Sequence, residues 1–226
     1  IGYQALSTED AHGRNVAIGR YALQAQDAGI DAYNVAVGYN TGVNVSTGAY
    51  NTLIGGLAGD ALTTGSYNVA LGYAALSTED GNSANVAIGK SALQNLNAGA
   101  DAYNVAVGYE AGINVSTGIR NVLIGGLAGD SLTTGSYNVA IGYNALSTED
   151  GNGSSVAIGS QALETQNAGA EAYNVAIGRS AGYAVTTGTY NTIIGGLAGD
   201  AITSGAHNVA IGYAALTTED AHGYNT

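Results

Sequence analysis

The chain contains no cysteine, methionine, proline, tryptophan or phenylalanine, and only five basic residues. Each absence removes a class of explanation. Without cysteine there is no disulfide framework and no thiolate metal site. Without cysteine and methionine the easily oxidised side chains are gone, which suits exposure outside a cell. Without Phe, Trp and Met there is no bulky filler for a large, irregular core. The apolar residues are Ala, Val, Ile, Leu and Tyr, and with 36 glycines they suit a thin, repetitive one. Five basic against 17 acidic residues give a net charge of −12. Arg14, Arg20, Lys90, Arg120 and Arg179 lie far apart in the chain and form no visible patch. Neither nucleic acid nor an anionic bilayer is therefore an expected partner. No apolar run approaches the ~20 residues that cross a membrane, so no membrane insertion is expected.

What the chain does have is repetition. The passage I/L-G-Y-x-A-L-S/T-T-E-D begins at Ile1, Leu71, Ile141 and Ile211, a period of 70 residues. Within it a finer unit opens on Asn-Val-Ala-Ile-Gly or a close variant, in steps of 19, 17, 17 and 17 residues. No unit of this size buries a core alone, so neighbouring units must stack. The expected fold is an all-β, parallel β-solenoid of about 13 coils, and residues 1–226 form one continuous array. The chain begins inside one unit and stops inside another. It reads as an excerpt of a longer fibre or as a subunit that stacks end to end.

Counting the opening Asn as slot one, the Asn column holds Asn15, Asn34, Asn51, Asn68, Asn85, Asn104, Asn121, Asn138, Asn174, Asn191 and Asn208, with Ser155 as the exception. The slot-five column holds Gly19, Gly38, Gly55, Gly72, Gly89, Gly108, Gly125, Gly142, Gly159, Gly178, Gly195 and Gly212. Around these, as at Tyr67–Tyr73, bulky and small residues alternate, the period of a strand with two unlike faces. Recurrent Gly and β-branched residues disfavour helix. An apolar pair follows, such as Ala22-Leu23 or Ala58-Gly59, so a coil reads as two short strands and two turns. Slot nine runs Leu, Gly, Gly, Leu in each cycle. The Val/Ile side of the strand is expected inside and the Ala/Gly side outside, where small residues would let a partner approach. Stacked Asn amides are expected to bond from coil to coil as a ladder. At ~4.8 Å per coil the rod would be about 60 Å long.

The unit N-V-A-I-G-x-x-A, as at Asn85–Ala92 and Asn208–Ala215, resembles the head repeat of trimeric autotransporter adhesins (the YadA-like head) and similar repeats in phage tail fibres. The resemblance covers the whole chain. It implies a left-handed β-roll, three chains side by side, on the surface of a bacterium or virion. The coil here, at 17 or 19 residues, is longer than the adhesin head repeat, and the excess lies in the closing turn.

Few residues suggest chemistry. Asp60, Asp130 and Asp200 close Gly-Gly-Leu-Ala-Gly-Asp, and Glu9-Asp10, Glu79-Asp80, Glu149-Asp150 and Glu219-Asp220 recur each cycle. Hard cations take such carboxylates, which makes Asp60, Asp130 and Asp200 calcium candidates. However, the spacing of calcium-binding β-roll repeats is not reproduced, and copies four coils apart, about 19 Å, cannot share an ion. His12, His207 and His222 lack metal-ligand spacing. A glycosidase needs two carboxylates in different environments, and these repeat identically, so no enzyme and no cofactor is expected. Tyr is the best contact residue: eight of 16 precede the Asn and six follow the Gly. The expected role is an extracellular, self-assembling fibre segment, a homotrimer or filament, whose partners are its own copies and a host surface glycan or protein. A filament without a receptor and a calcium-dependent adhesion module are the alternatives.

Overall fold

The structure is a computed structural model that describes residues 1–9, 13–78, 80–81, 83–151, 153–218 and 221–226. Its described residues form a β-solenoid with no helix. Twelve strands of three residues run in order through one parallel sheet: β1 (Val16–Ile18), β2 (Val35–Val37), β3 (Thr52–Ile54), β4 (Val69–Leu71), β5 (Val86–Ile88), β6 (Val105–Val107), β7 (Val122–Ile124), β8 (Val139–Ile141), β9 (Val156–Ile158), β10 (Val175–Ile177), β11 (Thr192–Ile194) and β12 (Val209–Ile211). Each strand pairs with the next in register, slot upon slot, including across the 19-residue coils. Eleven inter-strand steps of ~4.8 Å make the sheet about 53 Å long. The two extra residues of the long coils bulge outward, leaving Gly29, Gly99 and Gly169 in open space.

Each coil holds one strand, not two. The second apolar pair lies in a turn whose slots seven and nine are left-handed, as at Tyr21 (φ 62°) and Leu23 (φ 49°). The residue before each Asn is left-handed as well. A left-handed backbone costs a non-glycine residue about 1–2 kcal/mol. Full burial of a leucine stabilises by about 1.5–3 kcal/mol, and Leu23, Leu76, Leu93, Leu146 and Leu163 are completely buried at slot nine.

The strand is turned the opposite way from the sequence expectation. Its slot-three residue faces the core: Ala87 and Leu123 are 0 % exposed, whereas Ile18 is 42 % and Ile124 37 % exposed. The physical reason is the narrow coil. Leucines from the turn wall, together with slot-twelve residues such as Val45, Leu62 and Leu96, already fill the interior, leaving room for an alanine from the strand. Volume compensation explains the Leu-Gly-Gly-Leu order. Where slot three grows to Leu53, slot nine shrinks to Gly42 and Gly59, on which a Cβ would meet Leu53 Cδ1 at 2.7 Å and Cδ2 at 2.9 Å. Leu123 and Ile193 stand in the same relation to Gly112 and Gly129, and to Gly182 and Gly199.

Two polar columns lock the stack. At slot five the backbones pass so closely that a Cβ on Gly125 (φ +131°) would lie 2.5 Å from the Gly142 carbonyl oxygen. At slot one the Asn side chains are buried, from Asn34 through Asn208. Amide-to-amide bonds occur at Asn85 to Asn68 and Asn225 to Asn208, but the regular link is a different one. Where Asn follows Asn, the main-chain N–H donates to Oδ1 one coil back, as Asn121 does to Asn104 at 2.9 Å and Asn138 to Asn121 at 2.9 Å. The Nδ2 donates to a carbonyl that closes its own coil, as Asn121 does to Gly135 at 2.9 Å. The column thus ties coil to coil and also fastens each coil shut.

Candidate interaction face

Slots zero, two, four and six all project from the outer side of the sheet. Slots two and four form two columns of Val, Ile and Leu, relieved by Thr52 and Thr192. Slots zero and six flank them with tyrosine. Along slot zero the rings stack face to face: Tyr33 on Tyr50 at 5.5 Å, Tyr50 on Tyr67 at 5.1 Å, and Tyr173, Tyr190, His207 and Tyr224 in sequence at 4.9–5.4 Å. His207, a departure from the repeat, is one more plate in this stack. Along slot six the column is interrupted by Gly56, Gly126 and Gly196, and the Tyr73 ring lies against Gly56, 3.7 Å from where its Cβ would stand.

The basic residues, far apart in sequence, all fall on the two margins of this face. Arg14 and Arg120 occupy slot zero; Arg20, Lys90 and Arg179 occupy slot six. No acidic residue occupies any of the four columns. Four of the five cations sit over tyrosine rings: Arg14 over Tyr33 at 5.5 Å, Arg20 over Tyr21 at 4.6 Å, Lys90 over Tyr109 at 4.9 Å and Arg120 over Tyr137 at 5.5 Å. Arg14 also pairs with Asp31 at 2.7 Å and Lys90 with Glu110 at 3.2 Å. These pairs are solvent-exposed, so each contributes under about 1 kcal/mol. Hydrogen bonding to Glu110 and Tyr109 raises the Lys90 pKa, and bonding to Tyr21 raises that of Arg20. Both therefore stay charged.

The face is large. Four columns span roughly 20 Å and the sheet about 53 Å, which makes about 1,000 Å² of flat surface. A stable interface buries about 800 Å² on each partner.

The acidic candidates lie elsewhere. Asp60, Asp130 and Asp200 occupy slot ten, four coils apart. The main-chain carbonyls of Asp60 and Asp130 accept 2.8 Å bonds from Asn44 and Asn114. The Oδ1 atoms of Asp60 and Asp130 are buried without a hydrogen-bond partner, and desolvation raises both pKa values. Among the described residues no three His, Cys, Asp or Glu side chains gather where they could hold a metal ion. Of the Glu-Asp pairs, Asp10, Glu79, Glu219 and Asp220, with His12, lie outside the described residues.

Glu149 is completely buried, which the sequence did not suggest. Gln166 donates through Nε2 to Glu149 Oε2 at 2.9 Å and to Ser155 Oγ at 3.0 Å, and its Oε1 accepts from Asn174 at 2.7 Å. At the one break in the Asn column, the shorter Ser155 side chain leaves Gln166 room to reach Glu149. In the first cycle Asn15 is kept between the equivalent Glu9 and Gln26, and there Asn15 Nδ2 itself donates to Glu9 Oε2 at 3.0 Å. In the second cycle slot twelve is the apolar Leu96, and Asn85 is retained.

Chemically, the Tyr/Val/Ile face presents a strip of aliphatic side chains edged by cations and phenol hydroxyls. Comparison with protein-family models, with curated proteins and with solved structures found no match to this chain.

Proposed function

We propose that this chain is a rigid segment of an extracellular structural fibre that self-associates through its Tyr/Val/Ile face and serves reach and attachment. The observation that carries the reading is the face itself. Two aliphatic columns, broken only by Thr52 and Thr192, run the length of a face of about 1,000 Å², the size of surface that a stable interface covers on one partner. The driving force for covering it comes from the aliphatic columns, at ~25 cal/mol per Å² of apolar surface buried. The aliphatic columns continue through all twelve strands, so the contact grows with rod length, which is how a shaft stays bundled. The cations sit at the margins, where Arg14 and Lys90 pair with carboxylates of their own chain and Arg20 and Arg120 lie over tyrosine rings, so the aliphatic centre of the face is free of charge. The resemblance to adhesin heads and tail fibres points to three copies on a bacterial or virion surface. No catalytic role is assigned. The two carboxyls with raised pKa values, Asp60 and Asp130, occupy equivalent settings 70 residues apart, and acid–base chemistry needs unlike settings within reach of each other.

Sedimentation equilibrium tests the reading. The chain is expected as a discrete oligomer at micromolar concentration, and the double variant Val105→Lys/Val122→Lys as a monomer with an unchanged circular-dichroism spectrum. A monomeric parent chain at 100 times that concentration would end the proposal.

A further inference from the structure

The turn wall of the solenoid carries a shallow groove of about 230 Å³, lined by Gln161, Ser180, Tyr183, Leu197 and Asp200. Gln161, Ser180 and Leu197 are successive residues of the slot-seven column, and Tyr183 and Asp200 are successive residues of slot ten. Four polar side chains therefore converge from three stacked coils. Within the described residues none of the four side chains makes a hydrogen bond to protein. Ser180 is the most telling: the residue is only 7 % exposed, yet its hydroxyl has no protein partner and opens on the groove. Tyr183 is 39 % exposed. Unlike Tyr173 and Tyr190, it stacks on no ring among the described residues, and it lines the groove.

We propose that this groove binds a single hexopyranose ring of a glycan. A pyranose is amphiphilic. Its axial C–H groups make an apolar patch, which the Tyr183 ring and Leu197 match. Its hydroxyls both donate and accept. The Asp200 carboxylate accepts from two neighbouring hydroxyls, while the Gln161 amide and Ser180 hydroxyl do either. A groove of 230 Å³ is smaller than the ~300–1,000 Å³ of a drug-sized pocket, which suits one ring and not a larger aglycone. A simple ammonium ion would use only the carboxylate and the ring, leaving the amide and hydroxyl unmatched. The slot-zero tyrosine ladder is the poorer glycan site, because stacking at about 5 Å hides the ring faces. The repeat supplies internal controls. In the first two cycles the Tyr183 position is Val43 and Ile113, so the fold already accommodates a β-branched residue there.

This inference rests on the attachment part of the fibre reading, and its test is independent of assembly. Saturation-transfer NMR on the full chain would use the methyl pyranosides of glucose, galactose, mannose and N-acetylglucosamine, with butylammonium chloride as the competing class. At least one glycoside is expected to bind with a Kd on the order of millimolar. Tyr183→Val should weaken it at least tenfold, and Asp200→Asn at least fivefold. Both variants should keep the parent's oligomeric mass and circular dichroism. The proposal is overturned by no saturation transfer from any glycoside at 20 times the expected Kd, by equal binding in Tyr183→Val, or by binding of butylammonium alone. A monomeric parent that still binds a glycoside would sink the fibre reading and leave the groove intact.

Discussion

Replacing Asn121 by alanine removes two buried hydrogen bonds at once. Its Oδ1 no longer accepts from the Asn138 N–H, and its Nδ2 no longer donates to the Gly135 carbonyl, both at 2.9 Å. Asn121 and Asn138 are 0 % exposed, so water cannot take over without opening the coil. A buried polar group left alone costs about 1–3 kcal/mol, so two cost about 2–6 kcal/mol, a large share of the ~5–15 kcal/mol that holds a typical domain. Asn121→Asp sharpens the test. It keeps an acceptor for Asn138 but sets an oxygen against the Gly135 oxygen, so it should be at least as damaging as alanine at neutral pH and partly recover on acidification. Guanidinium unfolding followed by circular dichroism measures the loss. Amide exchange at Asn138 localises it, with protection expected to collapse there first. Refutation would be a loss under about 1 kcal/mol in Asn121→Ala with Asn138 still protected, since the column would then not fasten the coil.

Two further predictions separate causes that the fold runs together. Gly125→Ala and Gly99→Ala both place a methyl on a positive-φ backbone, but the Gly125 Cβ would stand 2.5 Å from the Gly142 oxygen whereas Gly99 meets nothing within 4 Å. Thermal unfolding should show Gly99→Ala losing about 1–2 kcal/mol and Gly125→Ala clearly more, because a stack cannot open at one coil without displacing the next. For pH, Asp60 and Asp130 have folded-state pKa values above the ordinary 3.8, chiefly through desolvation. The folded chain therefore binds these protons more tightly than the unfolded one, and their contribution to stability rises as pH falls from neutral toward 3.8. Glu110, with a lowered pKa, acts in the opposite direction from a half-exposed position near the surface. Denaturation curves between neutral pH and pH 4 should show Asp60→Asn/Asp130→Asn more stable than the parent at neutral pH, with the difference shrinking toward pH 4. A difference that grows on acidification would contradict the assignment of unfavourable burial.

The period, the register and the parallel stack were legible because they are properties of spacing, and spacing is visible in the chain. Which strand face lies inside was not legible from alternation alone. Alternation distinguishes two faces without saying which one the core takes, and the usual preference for bulky residues inside fails in a coil this narrow. A usable signal was nevertheless present. Slot three changes from Ala to Leu53, Leu123 and Ile193 in step with Gly at slot nine, as at Gly42 and Gly59. Compensating volumes at two positions mean that both share the interior, which would have placed slot three inside. The cationic margins were hidden for a different reason. Arg14 and Arg179 are far apart in number, yet both fall at even slots of the outer face, and indexing by slot reveals it. The left-handed turns were not readable, because Tyr and Leu rarely take that conformation. It is imposed by closing the coil and offset by burial at slot nine. Likewise, the buried Glu149 depends on Gln166 and Ser155 from the next coil meeting it, and no local pattern encodes that.

Slots two and four form an outer face, which we propose a second copy covers. The absence of native cysteine permits a direct measurement: maleimide labelling rates of Val122→Cys, Leu123→Cys and Ile124→Cys as a function of protein concentration. The account predicts that positions 122 and 124 react quickly when dilution has separated the chains and slowly at high concentration, while position 123 stays slow throughout. A fast position 123 would put the wrong face inside, and rates at 122 and 124 that ignore concentration would leave the face uncovered.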